Sequence, residues 1–184
     1  REHGLPINEI LCSTNVNDVL RRFIDGGVLE PLVTQPSVAP SMDIQIPSSL
    51  ERLIFDVSSE AKSFYDQLQT NSKAQLDEKS IDGLQNVFSS ITFSDENITT
   101  LIQSLHDEFA LVFDPHSVTS IQMALDNDSS LPTVAVATAS PEKFGNVIAP
   151  LINGFTESKV EEKEEYLTLS TENAEIIEAI LANI

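Results

Sequence analysis

Short apolar runs rich in β-branched residues, set between stretches whose apolar residues recur at helical spacing, limit this chain to few folds. Ile10-Leu11-Cys12, Thr133-Val-Ala-Val-Ala137 and Tyr166-Leu-Thr-Leu169 read as strands. The second is apolar almost throughout, the pattern of a central strand buried on both faces. Asn15 is placed to cap a helix through Val19, Leu20, Phe23 and Ile24, with Asp18 in its first turn and Gly26-Gly27 as its stop. Leu50, Leu53, Ile54 and Val57 predict a second helix, and Phe64, Tyr65 and Leu68 a third. From Leu76 to Phe93 the spacing predicts a short helix around Ile81, Leu84, Val87 and Phe88, then a turn. Ser94 with Asp95 and Glu96 starts a helix that buries Ile98, Leu101, Ile102 and Leu105 and ends near His106-Asp107. Asp114-Pro115 opens another through Val118, Ile121, Met123 and Leu125, with proline at the first helical position. Ser140-Pro141 caps one through Phe144, Val147 and Ile148, and Ser170 or Thr171 caps the last, through Ile176, Ile177, Ile180 and Leu181. Strands alternating with helices predict an α/β fold with a mainly parallel sheet and flanking helices.

Pro31 to Pro47 carries prolines at 31, 36, 40 and 47, so it reads as a long loop with a short strand at Leu32-Val33. Long ordered loops are often functional. The charged run Glu157 to Glu165 reads as a solvated connector.

With 29 acidic against 10 basic residues the formal charge is -19, so nucleic acid and anionic membrane surfaces would repel the chain. No apolar run approaches the ~20 residues that span a bilayer, and Arg1-Glu2-His3-Gly4 lacks the apolar core of a signal peptide. The expected state is soluble, and the one cysteine, Cys12, fits a reducing compartment such as the cytoplasm. Cys12 lies in the first strand run and is read as an inert core thiol. Three scattered histidines and one cysteine do not form a metal-ligand cluster. The lysines, at 62, 73, 79, 143, 159 and 163, sit in polar contexts unsuited to a desolvated Schiff-base lysine.

In an open parallel sheet ligands bind beyond the carboxyl ends of the strands. Two strand ends carry suitable polar groups. Ser13-Thr-Asn-Val-Asn-Asp18 offers Asn15, Asn17 and Asp18; capping alone would account for Asn15, whereas Asn17 and Asp18 add polarity a cap does not need. At Ala137-Thr138-Ala139-Ser140 a hydroxyl leaves a strand just before a helix, which is either a plain helix start or a ligand contact.

Four segments, in order, resemble the threonine synthases: Ser13-Thr-Asn-Val-Asn-Asp-Val-Leu20, Ala39-Pro-Ser-Met-Asp-Ile-Gln-Ile-Pro-Ser-Ser-Leu-Glu-Arg-Leu53, Asp114-Pro-His-Ser117 and Ala137-Thr-Ala-Ser-Pro-Glu-Lys-Phe144. That family uses pyridoxal phosphate to convert O-phosphohomoserine and water to threonine and phosphate. The resemblance implies the large domain of a pyridoxal-phosphate enzyme of fold type II. It matches Thr138 to the hydroxyl that hydrogen-bonds the pyridine nitrogen, in a Thr-Ala-His-Pro-like motif where this chain has Ser140 in place of histidine. It puts Ser41, Met42 and Asp43 on the substrate side of the site; the alternative is that Asp43 caps its own turn. His116 sits in an Asp-Pro-His-Thr-Ala-like helix start and is either structural or a substrate contact; Ser120 stands near where the family usually has glycine.

The family's Schiff-base lysine motif and glycine-rich phosphate loop have no counterpart here. Together with a first residue other than methionine and a strand within the first dozen residues, this leads us to expect a C-terminal segment, with an N-terminal segment of the same enzyme as partner and no activity alone. Within it, about 1–57 and 110–184 would form sheet and about 58–109 a mostly helical packing segment. The alternatives are a non-catalytic binding module of the same ancestry, or a phospholyase that degrades O-phosphohomoserine to 2-ketobutyrate.

Overall fold

The structure, a computed structural model, describes residues 4–58 and 60–156. Strand β1 (Ile10–Thr14) leads into helix α1 (Val19–Gly26) and a short strand β2 (Val28–Leu29). After the proline-rich loop come α2 (Leu50–Val57), α3 (Ala61–Asn71), β3 (Ala74–Gln75), α4 (Glu78–Gln85) and β4 (Phe88–Thr92). The long helix α5 (Asp95–Phe109), α6 (Ser117–Leu125) and the short α7 (Gly145–Ile148) complete the described fold.

Strands β1 and β4 pair in parallel, from Ile10 opposite Phe88 to Thr14 opposite Thr92, and β2 pairs antiparallel with β3. Successive side chains of a strand point to opposite faces, and here each face meets its own core. Cys12 and Phe88 pack with Phe23, Ile24, Leu29, Ile54, Phe64 and Leu84. Leu11 packs on the other side with Ile98, Ile102, Val118 and Ile148. A parallel pair covered by helices on both faces is the predicted α/β arrangement. Gly27 ends α1 at φ 66° and lies so close to α4 that a Cβ would meet Ile81 Cγ1 at 2.4 Å, so both backbone and space require glycine. No helix among the described residues is long and apolar enough to cross a membrane.

Several elements differ from the sequence expectation. Helix α4 stops at Gln85, and Phe88 begins β4 where a turn was expected; Ser89 and Ser90 dilute the apolar signal of a strand whose identity comes from pairing with β1. Thr133–Ala137 is not a buried strand. Val134 and Val136 are 84% and 64% exposed, because no described strand lies beside this run to complete a ladder. Its C-terminal end is tied instead to α6, where Ser120 Oγ donates to the Val136 carbonyl and the Thr138 N–H donates to Ser117 Oγ. Leu32-Val33 is also unpaired; the strand lies earlier, at Val28–Leu29, upstream of Pro31, which has no N–H to give.

Helix α5 starts at Ser94 as expected, with a capping box to Asn97, but runs on to Phe109 until Ala110 adopts a left-handed conformation at φ 54°. Helix α6 begins at Ser117 rather than at Pro115, since Asp114 accepts the N–H groups of His116 and Ser117 in a turn before it. Ser140 precedes a 3₁₀ turn (Pro141–Phe144) and α7; its hydroxyl donates to the Glu142 carboxylate and caps no backbone N–H. The expected connector at 157–165, strand at 166–169 and final helix lie outside the described residues.

Candidate functional site

The predicted site residues gather around two carboxylates beyond the carboxyl end of β1. At the first, Asp43 Oδ1 accepts from Asn15 Nδ2 at 2.7 Å, Asn17 Nδ2 at 3.0 Å and Ser37 Oγ at 2.7 Å, while Oδ2 accepts the Ser37 N–H at 3.0 Å. Asn15 is fully buried, and its Nδ2 also faces Ser37 Oγ and the Ala39 carbonyl. Its Oδ1 accepts the Asn17 N–H in a local turn. Asn17 is spent in the same way, exchanging bonds with the Gln35 backbone and accepting from Gln45 Nε2. Asn15 therefore does not cap α1, contrary to expectation. Asp18 stands at that position, makes no cap bond, and turns its carboxylate to Arg22 Nε at 3.0 Å. Asp18 is thus the predicted site residue that the fold leaves outside the cluster.

The second carboxylate, Asp114, is fully buried and collects four local donors. Oδ1 accepts the His116 N–H at 2.9 Å, His116 Nδ1 at 2.8 Å and the Ser117 N–H at 3.4 Å, and Oδ2 accepts the Ser117 hydroxyl. Burial pushes the Asp114 carboxyl up, but the hydrogen bonds from His116 and Ser117 outweigh it and hold the group below the usual carboxylate range. His116 Nε2 accepts the Ser41 N–H at 3.0 Å, so the ring carries its proton on Nδ1 and gives it to Asp114. The ring packs against Phe144, centroids 4.7 Å apart, and neither nitrogen is left open. Behind it Thr119 Oγ1 donates to the His116 carbonyl at 2.8 Å, which leaves Ser13 Oγ as the donor in the 2.7 Å bond between Ser13 and Thr119.

The two centres meet at the turn Pro40–Met42. Asp43 holds one end, His116 holds the Ser41 N–H in the middle, and Met42 packs into the second core. The Ser41 side chain stays exposed. Thr138 is reached through Ser117, whose hydroxyl accepts the Thr138 N–H at 2.9 Å while donating to Asp114. The Thr138 side chain is itself exposed, a neutral hydroxyl on a backbone fixed by α6.

Sequence reasoning thus brought together Asn15, Asn17, Ser41, Met42, Asp43, His116 and Thr138, and missed Asp114, Ser117 and Ser37. The signal for Asp114 was present: an aspartate followed by acceptable N–H donors two and three residues on is an Asx turn. The grooves along α2 (Ser48 to Asp56) and between β4 and α5 (Ile91 to Leu101) contain none of the predicted residues. Asn15, Asn17, Asp114, His116 and Ser117 are buried, and among the predicted residues beside them only Ser41 and Thr138 are exposed. Burial raises the Cys12 thiol, in keeping with an unreactive core residue. The described lysines, 62, 73, 79 and 143, are all exposed.

No protein-family model matches the chain. It is 29% identical over 197 residues to the threonine synthase of Saccharomyces cerevisiae, covering 93% of this chain and 38% of that one. It is 28% identical to the threonine synthase of Pseudomonas aeruginosa, covering 96% of this chain and 40% of that one. A crystal structure of pyridoxal-phosphate-bound threonine synthase from Brucella melitensis superposes with a TM-score of 0.78 at 27% identity, over 86% of this chain and 35% of that one. The chain therefore spans two fifths or less of the length of these relatives.

Proposed function

We propose that this chain, a relative of the threonine synthases, forms part of a pyridoxal-phosphate enzyme that converts O-phosphohomoserine and water to threonine and phosphate. The observation that carries the proposal is Thr138: an exposed, neutral hydroxyl on a backbone pinned by Ser117, in a segment that resembles the family's cofactor-contacting motif. A neutral hydroxyl fits an unprotonated pyridine nitrogen, as donor, without imposing a second charge on it. When bound, pyridoxal phosphate supplies the electron sink that lets phosphate leave the substrate's γ-carbon and water add at its β-carbon.

The chain's own residues have simpler tasks. Thr138 sets ring polarity, and the exposed hydroxyl of Ser41, on a turn clamped by Asp43 and His116, is open to a polar substrate group. Asn15, Asn17 and Asp43, whose polar atoms are engaged with one another, shape the substrate wall rather than bind substrate. None of the described lysines suits the Schiff-base role, so a further segment of the enzyme would supply that lysine, and the 184-residue chain alone makes no threonine. The single, burial-raised Cys12 fits a cytoplasmic enzyme.

The test is to supply the full-length protein with pyridoxal phosphate and O-phosphohomoserine and to assay threonine, phosphate and 2-ketobutyrate. Threonine with equal phosphate is expected. Phosphate with 2-ketobutyrate would assign a phospholyase instead, and no phosphate release would sink the enzymatic reading in favour of a binding module. Thr138→Ala should slow turnover by roughly 5- to 150-fold, the loss of one hydrogen bond to the cofactor of about 1–3 kcal/mol. Thr138→Asp should shift the absorption of the bound cofactor, because a carboxylate there would keep the ring nitrogen protonated.

A further inference from the structure

We infer that Asp114 is a positioning residue that sets two separate parts of the site at once, the Ser41 turn through His116 and the Thr138 backbone through Ser117. The four donors it accepts leave it nothing to offer a ligand, and it has no exposed surface. Its effect passes outward along two arms. On the first, its Oδ1 fixes the proton on His116 Nδ1, which makes Nε2 an acceptor for the Ser41 N–H. Were the ring to carry its proton on Nε2, two N–H groups would face each other 3.0 Å apart and the turn would have to move. On the second arm, Oδ2 accepts a hydrogen bond from the Ser117 hydroxyl and so turns a lone pair of that oxygen to the Thr138 N–H.

Ser41 and Thr138 are 97 residues apart in the chain, counting from 41 to 138, yet each has its backbone N–H held by a side chain that answers to the same carboxylate. The Phe144 ring packs against His116 on the first arm. Ser120, whose one hydroxyl proton is shared between the Ser117 and Val136 carbonyls, braces the second. The device bears on catalysis only through the function proposed above, whereas its geometry can be tested without cofactor.

The experiment is residue-resolved hydrogen–deuterium exchange on the full-length protein, without cofactor, comparing the Ser41 and Thr138 amides with the Phe93 amide, which donates to the Thr14 carbonyl. His116→Ala should speed exchange at Ser41 roughly tenfold, the scale of one net hydrogen bond, and leave Thr138 unchanged. Ser117→Ala should do the reverse, and Ser117→Thr, which keeps a hydroxyl, should restore slow exchange at Thr138. Asp114→Ala should release both amides while Phe93 stays protected, with Asp114→Asn intermediate. Nitrogen NMR of the His116 ring should report the Nδ1–H form in the parent and its loss in Asp114→Ala.

If Asp114→Ala does not fold, the two single-arm variants decide alone. Equal acceleration at Ser41, Thr138 and Phe93 in both would overturn the inference, as would no change at either target amide. Adding cofactor and substrate separates this inference from the proposed function. Arm-specific exchange in a protein that neither binds pyridoxal phosphate nor releases phosphate would keep the device and discard the enzyme. Threonine formation in a protein without arm-specific exchange would do the opposite.

Discussion

Asp43 and Asp114 each accept four hydrogen bonds, yet they are built in opposite ways. Every donor to Asp114 comes from His116 or Ser117, no more than three residues away. The donors to Asp43 come from Ser37, Asn17 and Asn15, between 6 and 28 residues away. Asp114 is thus a local turn packed into the core, and Asp43 is a long-range latch that closes the proline-rich loop against the end of β1. A local centre loses little chain entropy in forming and can be fully dry. A latch must offset the cost of ordering a loop, and it works only once β1, α1 and the loop have come together.

The largest effect should come from breaking the dry centre. Asp114→Ala leaves His116 Nδ1–H, two backbone N–H groups and the Ser117 hydroxyl without their acceptor in a buried space. We expect a loss of about 3–5 kcal/mol, from several stranded donors at roughly 1–3 kcal/mol each with partial relaxation. Urea unfolding should show a lower midpoint at an unchanged slope. Asp43→Ala should cost less, about 2–3 kcal/mol, because Asp43 is only half-buried and water can reach part of the gap. If the two losses come out in the reverse order, burial is not what separates the centres.

Acidification sharpens the same contrast from the Asp114 side. Its carboxyl is held below the usual range in the folded chain, so between the folded and unfolded values the unfolded chain binds more protons. Stability from this group is fully present above the ordinary carboxylate value of about 4, and it is lost as pH falls through the lower folded value. Asp114→Asn removes the titration. Its stability should therefore vary less with pH below about 4 than that of the parent, while lying below the parent near neutrality. A variant that keeps the parent's full acid limb would show that other carboxylates set it.

The difference between local and long-range centres also decides what the sequence could reveal. Asp114 draws all its side-chain hydrogen bonds from within Asp114-Pro-His-Ser117, so the motif stands out in the sequence, although its pattern suits a helix start as well as a saturated turn. Nothing in the spacing of Asn15, Ser37 and Asp43 says that they converge, and for Asn15 the sequence offers a local explanation, a cap, beside the ligand-side one. The strands repeat the lesson. The run at Ile10–Cys12 is apolar and becomes β1, whereas Phe88–Thr92 becomes its partner despite two serines, because pairing with β1 decides it. Thr133–Ala137 has the better strand composition and stays exposed and unpaired among the described residues. Composition shows what a segment would tolerate; pairing needs the neighbour, and strand preference is set by that context.

The smallest expected effect is at the same latch. In Asp43→Asn one oxygen remains to accept from Asn15, Asn17 and the Ser37 hydroxyl, and only the bond from the Ser37 N–H is lost, replaced by an amide that faces it donor to donor. Ser37 is half-buried, so that N–H can turn to water, and the cost should be about 1 kcal/mol, the net worth of one ordinary hydrogen bond. Exchange should quicken at Ser37 and leave Ser41 as it was, since Ser41 is held by His116 from the other centre. Quickened exchange at Ser41 as well would mean that the two carboxylates hold the turn as one unit, and the contrast drawn between them would then be one of wiring but not of consequence.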